Sequence, residues 1–149
     1  MTRLFECILV PVNGSAASVC AAKLAIEIAK EHGSLLVFVH VVDIVIRDQM
    51  ARLSGTAPRA LQREMEADAE DYLNYAAHLA EAEGLRAEKV RRVGFAHAEI
   101  LDEVESRGVS LVVIGMPIHH GPRGEFFTRR ARRVIETVPC PVLVAKTKE

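Results

Sequence analysis

Two hydrophobic patterns alternate along this chain. One is a short unbroken apolar run, such as CILVPV at 7–12, which suits a strand covered on both faces. The other is a longer stretch whose polar residues keep to one stripe, which suits a helix lying on a core. After the opening run, Asn13, Gly14 and Ser15 have turn chemistry, with Ser15 a candidate N-cap. Residues 16–32 then read as a helix whose stripe is Ser18, Lys23, Glu27 and Lys30, stopped by Gly33. A second buried strand follows at 34–42, with LLVFVHVV as its body.

The stretch 43–57 mixes Arg, Asp and Gln with Ile and Met and reads as an irregular, mobile connection with at most a helical turn. Residues 58–83 carry Leu61, Met65, Ala69, Tyr72, Ala76 and Leu79 at spacings of four and three, a long helix ended by Gly84. The more polar run 86–93 reads as an edge strand. A helix at 98–107, a buried strand at 109–114, a Gly/Pro/His loop at 115–125, a helix at 126–138 and a strand at 141–146 complete the chain. Strands and helices alternate strictly. That order predicts an α/β fold with a doubly wound parallel sheet and right-handed crossovers. Without repeats or linker-like tracts, the 149 residues are expected to form one domain.

Composition narrows the function. No apolar run approaches the roughly 18 residues of a membrane span, and the first twelve residues lack a small-residue cleavage pattern, so a cytoplasmic protein without membrane association is expected. Cys7, Cys20 and Cys140 are widely spaced in apolar contexts and read as small hydrophobes in a reducing compartment. The net charge of −1 argues against bulk nucleic-acid binding. The cancellation is nevertheless segregated. Residues 62–83 hold seven acids against one arginine, whereas 119–133 hold five arginines against Glu125 alone.

Ligands of open α/β sheets bind beyond the carboxyl ends of the strands, where strand order reverses. The commonest five-stranded orders place the first strand centrally, so Pro11 to Ser15 would face that crevice. The amides opening the next helix favour an anion there, although Ser15 as a plain helix cap is the simpler reading. The loop GMPIHHGPRGE at 115–125 holds three glycines and two prolines, a composition that lets backbone amides approach a ligand. It is neither a P-loop nor a dinucleotide fingerprint. On a helical wheel Phe127, Ala131, Val134, Ile135 and Val138 share a face, Arg129, Arg132 and Arg133 point away, and Arg130 lies on the flank. A solvated basic face is the simpler reading of these arginines. Cations in a helix's first turn oppose its macrodipole, however, and Arg123, Arg129 and Arg130 would suit a phosphate. His119 and His120 are adjacent and diverge, so no metal site is expected.

Together these features resemble the universal stress protein family. The matching stretches are ILVPVNGS at 8–15, LVFVHVV at 36–42, VSLVVIG at 109–115 and PCPVLV at 139–144. The resemblance implies a five-stranded parallel sheet in the order 3-2-1-4-5, helices on both faces, in the manner of the adenine nucleotide alpha hydrolases. It also implies a homodimer paired through the last strand, here 141–146, bounded by Pro141 and Lys146. One branch of the family binds ATP or AMP through Gly, two residues, Gly, nine residues, Gly, then Ser or Thr. Laid on this sequence, Gly115 matches the first position. Ile118, Thr128 and Arg129 depart from the other three, and Asn13 replaces the acid usual after the first strand. Pro11 and Val41, which flank the adenine in that branch, do match. Displacing the loop toward Gly121 and Gly124 would offer another cradle, with Arg129, Arg130 or Arg123 supplying charge.

The resulting expectation is a non-catalytic regulatory module, dimeric and acting through a protein partner, with adenine-nucleotide binding weak or lost. The alternative is an ATP- or AMP-binding sensor, or a weak ATPase, using a rearranged loop at 115–130. Only Asp43 and Glu125 stand as carboxylates for metal-assisted hydrolysis.

Overall fold

A computed structural model describes residues 4–118 and 122–147, with side chains placed except at 122–128. The element order is β1 (Cys7–Pro11), α1 (Ala16–His32), β2 (Leu35–Asp43), α2 (Ile44–Ser54), α3 (Pro58–Glu81), β3 (Ala87–Gly94), α4 (Ala96–Arg107), β4 (Leu111–Pro117), α5 (Pro122–Thr137) and β5 (Val142–Thr147). The strands form one parallel sheet, as their alternation with helices predicts, in the order β3-β2-β1-β4-β5 that the family resemblance implies. Helices cover both faces, and each face has its own apolar layer. Ile8, Val10, Phe38 and Val113 pack beneath α1 and α3. Leu9, Val37, Val39 and Val112 pack beneath α4 and α5. Successive residues of β1 therefore serve opposite layers, which is why Ile8, Leu9 and Val10 are all fully buried.

Helix α1 shows how local chemistry places the crevice. Ser15 caps it by accepting from Ser18 N at 3.2 Å, and Gly33 ends it in the left-handed region at φ 67°. Its buried side is Ala17, Ala21, Ala22, Ala25 and Ala29, so the helix axis lies close to the sheet. At Gly115 the approach is limiting. A Cβ there would sit 2.1 Å from the carbonyl oxygen of Ala17 and 2.4 Å from its carbonyl carbon.

Two segments differ from the sequence reading. Residues 43–57 are not an irregular connection, since α2 occupies most of them. Asp43 caps that helix through Oδ1, which accepts from Val45 N at 2.9 Å and Ile46 N at 3.1 Å, and Gly55 ends it at φ 70°. Only Ala51 is buried along α2, so no apolar stripe marks it in the sequence. The second difference is in the expected loop 115–125. Pairing of Gly115, Met116 and Pro117 with Ala145, Lys146 and Thr147 carries β4 onward, and α5 begins at Pro122, a residue suited to a helix's first position. Gly124 and Thr128 consequently lie within a helix. His119, His120 and Gly121 lie outside the described residues. A smaller difference concerns Cys20, which is exposed on α1 instead of packed, while Cys7 and Cys140 are half-buried and all three are free thiols.

The polar edge strand β3 is anchored by ion pairs on both sides. Arg91 reaches Glu70 of α3 at 3.1 Å, and Arg92 reaches Glu99 of α4 at 2.9 Å and Glu103 at 2.7 Å. Charges of this kind keep an edge from pairing with other chains.

Candidate functional site

The crevice opens where β1 is flanked by β2 on one side and β4 on the other. Its floor on the β1 side is Pro11, half-buried, followed by Val12, whose amide donates to Val39 O at 2.9 Å. Asn13 turns onto its own loop. Its side-chain Oδ1 accepts from Ser15 N at 3.0 Å and from Ser15 Oγ at 2.6 Å, while its backbone N donates to Ser18 Oγ at 3.2 Å. The residue that replaces an acid thus organises the turn. Gly14 takes φ 77°, and a Cβ there would fall 2.4 Å from the ring of Tyr72 on α3.

On the β2 side, Val41 is half-buried against the layer beneath α4 and α5. Its neighbour His40 points to the other face, with Nδ1 2.6 Å from Val12 O and its ring edge-on to Tyr72 at 5.4 Å. That contact makes Nδ1 the protonated nitrogen, since a carbonyl can only accept. Burial pushes the His40 imidazole below its ordinary value, and the Arg130 charge adds to this against the opposing bond to Val12 O.

On the β4 side, Gly115 belongs to the strand, and its lack of a side chain is required by Ala17. The amide of Ile118 is engaged with Thr147 O of β5, and its side chain is exposed. Arg129 is exposed on α5, as are Arg132 and Arg133, whereas Ala131, Val134 and Val138 are buried. The helical-wheel assignment of these residues holds.

Arg130 behaves differently from its neighbours. Its Nη2 donates to Asp43 Oδ2 at 2.8 Å, joining α5 to the end of β2. Asp43 is buried at 6% exposure. Burial alone would raise its carboxyl, but the Arg130 hydrogen bond, the two α2 amides and the Arg130 charge outweigh it and hold Asp43 below the usual carboxylate range. Sequence reasoning names both residues, Arg130 for phosphate and Asp43 for a metal, and does not pair them. They are 87 positions apart in the sequence, and no local pattern links the two. The signal that was available is Asp43 as a helix cap directly after a strand.

Pro11 ends β1, Asn13 follows it, Val41 lies near the end of β2 and Gly115 lies in β4, while Arg130 reaches the end of β2 through Asp43. Ile118 adjoins β5 through Thr147 O, and the side chain of Thr128 lies outside the described residues. A separate cavity of about 220 Å³ lies between α1 and α3, lined by Val12, Ser18, Val19, Tyr72, Tyr75 and Leu79. Among the described residues no three His, Cys, Asp or Glu converge as a metal would need, and no helix is long and apolar enough to cross a membrane.

Comparison with known proteins places this arrangement. The universal stress protein of Methanocaldococcus jannaschii MJ0531 is 30% identical over 145 residues, covering 97% of this chain and 84% of that protein. UspA from Lactobacillus plantarum has the same fold, with TM-score 0.79, 22% identity and coverage of 97% of this chain and 99% of that one. The same fold occurs in the Archaeoglobus fulgidus universal stress protein in complex with dAMP, with TM-score 0.69, 21% identity and coverage of 95% and 98%. Two further proteins of this fold are described in complex with cAMP and with AMP bound, at TM-scores 0.71 and 0.70 and identities of 17% and 18%. The universal stress protein family profile matches residues 5–146, from before β1 into β5. The chain thus belongs to the universal stress protein family.

Proposed function

We propose that this chain is an adenine-nucleotide-binding regulatory module whose ligand carries a short phosphate group, and that it works by binding and not by chemistry. The observation that carries this reading is the Arg130 guanidinium held at the end of β2, 2.8 Å from Asp43. A fixed guanidinium beside an apolar floor is a recognised partner for a phosphate monoester. Pro11 and Val41 give a floor of the kind a purine needs, and relatives of the same fold carry AMP, dAMP and cAMP.

The residues present fit a triphosphate poorly. A polyphosphate cradle needs free amides and glycines, whereas the Ile118 amide is engaged with Thr147 and residue 128 is an in-helix threonine. Asp43 has both carboxylate oxygens engaged, one by α2 amides and one by Arg130, so it supports no metal-assisted hydrolysis. A sensor is therefore the better reading than an ATPase. Module output through a protein partner and a cytoplasmic setting go with this reading. A homodimer paired through β5 does as well, because that strand is a sheet edge and Leu143 stands exposed on it.

Isothermal titration with adenosine, AMP and ATP tests the reading. AMP is expected to bind about tenfold more tightly than adenosine, the worth of one charge-assisted phosphate contact, and ATP no more tightly than AMP. Absence of saturable binding by any of the three at millimolar concentration refutes it.

A further inference from the structure

Asp43 does two jobs with its two oxygens. Oδ1 caps α2 through Val45 N and Ile46 N, and Oδ2 receives Arg130. The carboxylate is shielded, while the Arg130 side chain is 33% accessible. An anion arriving from solvent therefore meets the guanidinium and not its partner. Asp43 ends β2 and Arg130 lies on α5, the helix after β4, so their bond ties together elements that follow the two strands flanking β1.

We propose that the Asp43–Arg130 pair is a latch that competes with the ligand: a nucleoside monophosphate in the crevice draws Arg130 away from Asp43, and binding thereby breaks the link between α5 and the first turn of α2. This inference rests on the nucleotide-binding reading above. Exchange is chemically favourable because a guanidinium donates to two oxygens of a phosphate side by side. Asp43 can offer it only Oδ2, since the α2 amides hold Oδ1. The exchange also has a cost, because a buried carboxylate is left without its cation. Affinity for the phosphate is therefore lower than an unopposed arginine would give, and that difference is the measurable trace of the latch. The effect is delivered to α2, whose surface exposes Val45, Met50 and, at 89%, Leu53.

A double-mutant cycle read by titration calorimetry with AMP and adenosine isolates the competition. Asp43→Asn preserves the α2 cap, because Asn caps as well as Asp, while weakening the hold on Arg130. AMP is expected to bind this variant about five- to tenfold more tightly than the wild type, with adenosine unchanged. Arg130→Gln is expected to weaken AMP about tenfold, and adding Asp43→Asn to it is expected to gain nothing. If the Asp43→Asn gain persists in the Arg130→Gln background, it comes from removing a repelling charge and the latch is refuted. Equal AMP affinity in wild type and Asp43→Asn also refutes it, while leaving the nucleotide reading intact. Failure of both AMP and adenosine to bind any of the four proteins removes that reading and the latch together. As a second readout, hydrogen exchange at Val45 and Ile46 is expected to quicken with AMP and not with adenosine. Equal exchange with the two ligands at saturation overturns the coupling to α2.

Discussion

Gly115 is the one glycine of the family's nucleotide pattern that this chain keeps, and its replacement by alanine separates two reasons for keeping it. A Cβ at 115 would stand 2.1 Å from Ala17 O, 2.4 Å from Ala17 C and 2.9 Å from Ser18 N. All three atoms are backbone in the first turn of α1, so no side-chain rotation relieves the clash. The strand cannot retreat easily, because β4 is held by β1 on one side and by β5 on the other. Nor can α1 tilt freely, since Ser15 caps it and Ser18 Oγ bonds both Ser15 O and Asn13 N. Overpacking of a fixed core costs about 1–3 kcal/mol and occasionally more. Backbone on both sides puts Gly115→Ala at about 3 kcal/mol or above on that scale. For a domain of this size each kcal/mol moves Tm by roughly 2–4 °C, so a fall of about 6–12 °C is expected by differential scanning calorimetry. The loss is expected without any ligand present. A Tm within about 1 °C of the wild type, accompanied by loss of AMP binding, would show that the glycine serves phosphate approach and would refute the packing account.

Three other outcomes follow from the same geometry. Asp43→Ala removes the α2 cap and the Arg130 partner, whereas Asp43→Asn keeps the cap; urea unfolding is expected to show the alanine variant less stable by about 1 kcal/mol, and equal midpoints would count against the capping role. Burial keeps His40 neutral in the folded chain, below its ordinary 6.5, so the unfolded chain takes the proton first as pH falls. Stability from this group is complete above 6.5 and declines below it until the folded value is passed, at up to about 1.4 kcal/mol per pH unit. Replacing His40 by Gln is expected to flatten that part of a Tm-against-pH curve, and an unchanged slope would contradict the assignment. Val142→Glu is expected to convert a proposed β5-paired dimer to monomer by placing charge in the paired edge; an unchanged mass by light scattering would remove that interface.

The sheet was legible because a strand buried on both faces leaves an apolar run that little else imitates, and Ile8, Leu9 and Val10 are such a run. Caps were legible for the same local reason: Ser15 and Gly33 act within a turn of themselves. Helix α2 escaped because periodicity reports burial, and a helix that buries only Ala51 has no apolar stripe to report. Its cap was visible as Asp43, but that residue was weighed as a metal ligand. The extent of β4 escaped because Gly115 to Pro117 have loop-like identities and are strand only through β5. Pro11 and Asn13 could be placed at the end of β1 because the apolar run stops there. The Asp43–Arg130 bond could not, since its partners are 87 positions apart in the sequence and meet only in the folded chain.

That bond also changes what the departures from the glycine pattern mean. A cradle of backbone amides recognises a phosphate by shape, and every added Cβ weakens it. Here the retained glycine is accounted for by Ala17, and the amide of Ile118 is committed to Thr147. On the proposed reading, recognition therefore moves from main chain to a side-chain guanidinium. Such recognition accepts the terminal phosphate of a monophosphate readily and gains little from a second or third phosphate. It also carries an internal opponent in Asp43, which a ring of amides does not. A protein meant only to hold its nucleotide would be better without that carboxylate, whereas one that must respond to arrival and departure uses the opponent, because the carboxylate that resists binding through Oδ2 caps α2 through Oδ1.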